Sequence, residues 1–79
     1  MHVLSQVIPL SDYQLALTFD TGETKVADIK PYLQTEAFRS LQNHVLFNTV
    51  ENKAYYVEWL DGEVDLSADT LWHIGTIRG

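Results

Sequence analysis

The densest run of chemically capable side chains is Asp61-Gly62-Glu63-Val64-Asp65-Leu66-Ser67-Ala68-Asp69, four carboxylates in nine residues. Hard cations bind through oxygen ligands, so a divalent-ion loop is the first chemistry to test. A helix–loop–helix calcium loop needs alternating oxygen ligands, glycine at its sixth position and a bidentate glutamate at its twelfth. Counting from Asp61, glycine falls second and Trp72 twelfth, so the ligand pattern fails. The plainer reading is a hairpin turn at Asp61-Gly62, then a helix capped by Ser67. The carboxylates then lie near the helix's positive end.

The other reactive residues are sparse. Of the three histidines, His73 follows Asp69 by four residues, one helical turn on. That pair would need further ligands to hold a metal. His73 and His44 both fit cations near helix C-termini. No two histidines have zinc-site spacing and cysteine is absent, so neither a thiolate site nor a disulfide is expected. Ser5, Ser11, Ser40 and Ser67 lie in no Gly-x-Ser-x-Gly elbow. The four glycines form no phosphate-cradling cluster. An acid–base pair such as Asp20 with Asp65 would depend on burial and distance that spacing does not supply. A chain this short leaves little volume for a deep pocket. The expectation is a protein that is not an enzyme, with no cofactor and no metal.

Charge narrows the partners. In 79 residues, five basic and eleven acidic side chains give 5 − 11 = −6, and the isoelectric point is near 4.7. Lys25, Lys30, Arg39, Lys53 and Arg78 are scattered, with no two adjacent. Phosphate recognition needs several cations on one face, so direct nucleic-acid binding is not expected. Anionic membranes are disfavoured for the same reason. A basic protein partner is the natural complement, because opposite charge speeds encounter. The same net charge also serves solubility. The start, Met1-His2-Val3-Leu4-Ser5-Gln6, has neither a basic segment nor a long apolar run, so the expected compartment is the cytoplasm. The length fits one domain over residues 1–79, its last few residues a tail.

These residues need elements to position them. Tyr13, Leu15, Leu17 and Phe19 alternate with smaller or polar residues, the period of a strand with one buried face. Val3 to Leu10 reads as a preceding strand in which Pro9 marks an end or an edge. Asp20-Thr21-Gly22-Glu23 is a tight turn, and Thr24 to Ile29 the returning strand. Pro31 suits a first helical turn and Thr35 an N-cap, so the spacing of Tyr32, Leu33, Ala37, Phe38 and Leu41 predicts one main helix, or a turn and a helix, over 31–42. Leu46 to Val50 reads as a strand and Glu51-Asn52-Lys53 as a turn. Ala54 to Leu60 reads as the next strand, with Val64 to Leu66 returning. Ser67 then caps a short helix, Ala68 to Ile74, with Gly75 at its C′ position. The expected class is α+β: an antiparallel meander, one main helix packed on one sheet face, a further hairpin and a short C-terminal helix.

On the strand 54–60, Tyr55, Val57 and Trp59 share one face, and Tyr56 and Glu58 the other. One helix on one sheet leaves the second sheet face partly open. Exposed aromatics are enriched at interfaces. Tyr56 and Glu58 are therefore the candidate interaction surface, for a protein partner or a second copy of the chain.

Several features run in one order: Pro9-Leu10, Asp12-Tyr13, Leu15, Leu17 and Phe19, then Asp20-Thr21-Gly22-Glu23, Asp28 and Pro31. Phe38, Leu41, Phe47, Val50, Trp59, Asp61-Gly62 and Asp65-Leu66-Ser67-Ala68-Asp69-Thr70-Leu71 complete the series. This set resembles the bacterial family of domain of unknown function 2442 (DUF2442), over about residues 3 to 75. The resemblance implies an α+β domain and brings no catalytic residues. Some members of that family are free-standing and encoded beside another small protein; others are joined to a helix-turn-helix half. The likeness implies two functions. One is an antitoxin-like or adaptor-like interaction module. The alternative is a small-ligand or metal-sensing domain of the kind fused to helix-turn-helix regulators. No helix-turn-helix segment follows Gly75 here, which counts against a direct role on DNA.

Overall fold

The alternation at 13–19 builds the first sheet. In the computed structural model, which describes residues 1–77, β1 (Leu4–Leu10), β2 (Gln14–Phe19) and β3 (Thr24–Asp28) form an antiparallel meander. Leu15, Leu17 and Phe19 are wholly buried on its inner face. Pro9 lies in β1, which among the described residues pairs only with β2, so its missing N–H breaks no second ladder. Gly22 turns β2 into β3 at φ +91°, donating its N–H to the Phe19 carbonyl at 2.9 Å. The β1–β2 link is less ordinary. Asp12 and Tyr13 stand at φ +63° and +57°, a left-handed conformation that side chains with a Cβ resist.

The main helix is absent as such. Residues 30–42 form two 3₁₀ segments, Lys30–Gln34 and Glu36–Gln42. Pro31 begins the first as its fixed φ predicts. Thr35 separates them in an extended conformation, and its hydroxyl donates back to the Tyr32 carbonyl instead of capping the second segment. Phe38 and Leu41, three residues apart, are both buried, which matches the 3₁₀ repeat.

The expected strand 46–50 is also corrected. Asn43 accepts from the Val45 N–H and starts a one-turn helix, α1 (His44–Phe47), which sinks Phe47 into the core. Short apolar runs such as Val45-Leu46-Phe47 suit either element, and here the cap decides. His44 therefore opens a helix rather than ending one. The strand is two residues, β4 (Glu51–Asn52), where a turn is expected from sequence. β4 pairs with β5 (Tyr56–Trp59), which pairs with β6 (Val64–Ser67), so there are two sheets where one is expected.

Ala54 at φ +70° ends the extended run early and leaves Tyr55 outside β5, exposed rather than buried beside Val57 and Trp59. The β5–β6 connection is Leu60–Glu63 rather than a two-residue type I′ turn, with Leu60, Asp61 and Gly62 all at positive φ. Ser67 caps α2 (Ala68–Ile74) as expected, accepting from the Thr70 N–H at 3.0 Å. Gly75 follows α2 at φ −73°, so it is no left-handed cap. Its need is space: a Cβ there would sit 2.8 Å from the Leu71 carbonyl oxygen and 3.0 Å from the Lys25 Cβ. β7 (Thr76–Ile77) then joins β3, giving the order β1-β2-β3-β7. Arg78 and Gly79, the end of the expected tail, lie outside the described residues.

One core serves both sheets. Leu15, Leu17 and Phe19 meet Val57, Trp59, Val64 and Leu66, with Phe38, Leu41, Phe47 and Leu71 filling the space between. The Trp59 indole N–H donates to the Phe47 carbonyl at 2.8 Å, which satisfies the one polar atom of that ring. The segments 30–47 and α2 all contribute to this side. The opposite face of the four-stranded sheet contributes nothing to the core, although Ala16 on it is only 7% exposed.

A candidate interaction surface on the three-stranded sheet

Strand alternation sorts β5 cleanly. Val57 and Trp59 are buried, while Tyr56 is 40% exposed and Glu58 half-buried. Register then decides what stands beside them. Glu58 lies directly opposite Glu51 on β4 and Asp65 on β6, and Tyr56 lies opposite Ser67. The outer face thus carries three carboxylates in a row across three strands. Directly opposed side chains have Cβ atoms about 5 Å apart, and like charges so placed are destabilising. Lys53 offsets the row at one end, its ammonium 3.3 Å from Glu51. The hydrogen bond to Glu51, aided by the nearby charges of Glu51 and Glu58, raises the Lys53 pKa above that of a free lysine.

Tyr56 and Glu58 do share the outer face as the alternation predicts. Glu51 and Asp65 are not legible as their neighbours, because cross-strand register depends on the 53–55 turn for β4 and on the Leu60–Glu63 loop for β6. Asp61, Glu63, Asp65 and Asp69 are all exposed, and they are dispersed over a loop, β6 and α2. Among the described residues no three His, Cys, Asp or Glu side chains gather as a metal site. Asp20 closes the β2–β3 turn while Asp65 sits on the other sheet, so that pair shares no element.

Asp69 pairs with a different histidine from the one its spacing suggests. Its carboxylate accepts from the His2 backbone N–H and lies 2.7 Å from the His2 Nδ1. Those bonds hold the Asp69 pKa below the usual carboxylate value. The His2 ring stacks on Trp72 at 4.4 Å, and the Lys25 ammonium lies 3.8 Å from the Trp72 ring. His73 is exposed in the last turn of α2, away from Asp69's partner His2.

A cavity of about 580 Å³ opens beside the left-handed β1–β2 link, lined by Asp12, Tyr13, Lys30, Leu33, Gln34 and Gln42. Its cation is already matched: Lys30 lies 3.0 Å from Asp12 and 3.1 Å from Asp28. The Tyr13 hydroxyl donates to the Gln42 carbonyl, and the Gln42 amide to the Leu33 carbonyl at 2.8 Å. Sequence spacing gives no sign of this cavity, since its walls come from segments joined only by folding.

Two antiparallel sheets around a shared core, one with an acidic outer face, define a small α+β domain. The chain belongs to the family described as Protein of unknown function (DUF2442), whose model matches residues 4–76, nearly its whole length. No curated protein and no solved structure matches it. No helix among the described residues is long and apolar enough to cross a membrane.

Proposed function

We propose that this chain is a non-enzymatic protein-interaction module, antitoxin-like or adaptor-like, whose three-stranded sheet receives a basic segment of another protein. The observation that supports this most is the Glu51–Glu58–Asp65 row beside exposed Tyr56. A fold gains nothing from aligning three like charges. A Lys- or Arg-bearing partner removes that repulsion and gains charge-assisted hydrogen bonds. Tyr56 adds an amphipathic ring of the kind enriched at binding hot spots.

The test is affinity capture from the native host's lysate, with wild type, Tyr56→Ala and Glu58→Lys as baits. The expected result is one basic protein held near stoichiometrically by wild type and lost with Glu58→Lys. Equal retention by all three baits contradicts the reading. The second reading, a small-ligand domain, draws on the cavity at Tyr13 and Lys30, whose volume lies within the usual ligand range of about 300–1,000 Å³. A thermal-shift screen separates the two, because a ligand that binds only the folded state raises its melting temperature.

A further inference from the structure

The carboxylate row is closed at one end and open at the other. From Ser40 to Ile77, Lys53 is the only lysine or arginine. Its ammonium lies 3.3 Å from Glu51, the β4 member of the row. The ion pairs of the described residues include none to Glu58 or Asp65. The middle of the row and its β6 end therefore carry charge with no cation paired to it.

The turn from β4 to β5 puts Lys53 in that place. Its N–H donates to the Tyr56 carbonyl at 2.8 Å. The Ala54 N–H donates to the Asn52 side-chain oxygen, also at 2.8 Å, which holds the turn from within. These bonds continue the register that pairs Glu51 with Glu58 and Asn52 with Val57. Lys53 thus stands opposite Tyr56, on the same face as Glu51. The backbone is fixed, but the side chain is 41% exposed and ends a flexible four-carbon stem. Exposed ion pairs hold weakly, because water screens them and pairing costs rotamer freedom. The ammonium is therefore free to leave Glu51 without disturbing the fold.

We propose that Lys53 is a built-in competitor for the partner's cation. It occupies Glu51 in the free protein, so a basic segment is received at Glu58 and Asp65 and must displace Lys53 to reach Glu51. The inference rests on the reading of the acidic face given above, and adds to it a direction and a brake. While Lys53 is charged, the Glu51 end contributes little affinity, since an arriving cation both breaks a pair and meets a like charge. With a neutral side chain at position 53, all three carboxylates are open.

The experiment is an amide NMR titration of the full chain with trilysine at about 10 mM salt, where screening is weak. Arg39→Gln is the control for net charge, because it removes the same unit charge from the second 3₁₀ segment, outside the sheet. Lys53→Gln should bind trilysine about two- to fivefold more tightly than Arg39→Gln, the range that one exposed ion pair sets. In the wild type, Asp65→Asn should weaken binding by at least about twofold and Glu51→Gln by less. In the Lys53→Gln background the two should weaken it equally, the cycle that isolates the Lys53–Glu51 coupling. All these positions are exposed, and a melting transition checks that each variant is folded. Lys53→Gln no tighter than Arg39→Gln overturns the competitor while leaving the acidic face standing. So does a wild type that loses as much to Glu51→Gln as to Asp65→Asn. Wild-type shifts absent from residues 51, 58 and 65 overturn the acidic-face reading and this inference with it.

Discussion

The outer face of β4-β5-β6 and the outer face of β1-β2-β3-β7 are built by the same period-two rule, yet they carry opposite chemistry. Behind both lies one core: Val57 and Trp59 under the first, Leu15 and Leu17 under the second. The first face sets Glu51, Glu58 and Asp65 directly opposite one another. The second sets Ile8, Ala16 and Val26 in line, with Asp28 its one charge in the two flanking rows. A like-charge row lowers stability, whereas a neutral row carries no such repulsion. The first, offset by Lys53 at one end, has the charge that a basic partner would complement.

The comparison breaks most completely at its shared support. Trp59→Ala removes a ring that is 1% exposed and the donor to the Phe47 carbonyl. Large aromatic truncations in a core cost about 3–5 kcal/mol, against a total stability of about 4–12 kcal/mol at this chain length. Calorimetry should show the transition lowered by tens of degrees or lost, and both faces should fail together.

A sharper separation comes from Glu58→Lys. It replaces the middle charge of the row by its opposite, so chemical denaturation should show a gain of about 0.2–1 kcal/mol. Capture of a basic partner should vanish, while the same reversal on the other sheet, Val26→Lys, should leave it intact.

Proton titration should act on the acidic face and leave the neutral one largely unaffected. As pH falls toward the isoelectric point near 4.7, net charge shrinks. Binding to a basic partner should therefore weaken as the carboxylates protonate, read by titration calorimetry over a pH series.

The smallest effect concerns acid stability. Asp69 has its pKa lowered by the His2 hydrogen bonds, and Asp28 chiefly by the Lys30 backbone N–H. A carboxylate with a lowered folded pKa contributes stability above its unfolded value of about 3.9 and loses it as pH falls through the folded value. His2→Ala should flatten that acid limb slightly in a pH series of melting temperatures and leave both faces unchanged. On the alkaline side, Lys30 and Lys53 have raised pKa values, so their contribution is present below the ordinary lysine value and fades above it.

The strands 4–28 and the Ser67 cap are legible in the sequence because each rests on local signals: strict alternation, a glycine turn and a hydroxyl three residues before an amide. The segment 30–52 is not. There the Thr35 hydroxyl, turned back to Tyr32, splits the expected helix into two 3₁₀ segments, and Asn43 caps α1 where a strand is expected, which sinks Phe47 into the core. Successive left-handed residues such as Asp12-Tyr13 and Leu60-Asp61 leave no composition signal, since neither pair contains glycine. Of the interaction surface, Tyr56 and Glu58 can be read from alternation within one strand. Glu51 and Asp65 cannot, because their places are set by register across two loops. Tyr55 departs from its expected face because the turn at Ala54 shortens β5.

The measurement that bears most directly on the acidic face is a three-bait capture from the native host's lysate with wild type, Glu58→Lys and Val26→Lys. One basic protein held equally by wild type and Val26→Lys, and absent from Glu58→Lys, is the expected result. Retention of the same proteins by Glu58→Lys would show that the carboxylate row has no part in binding.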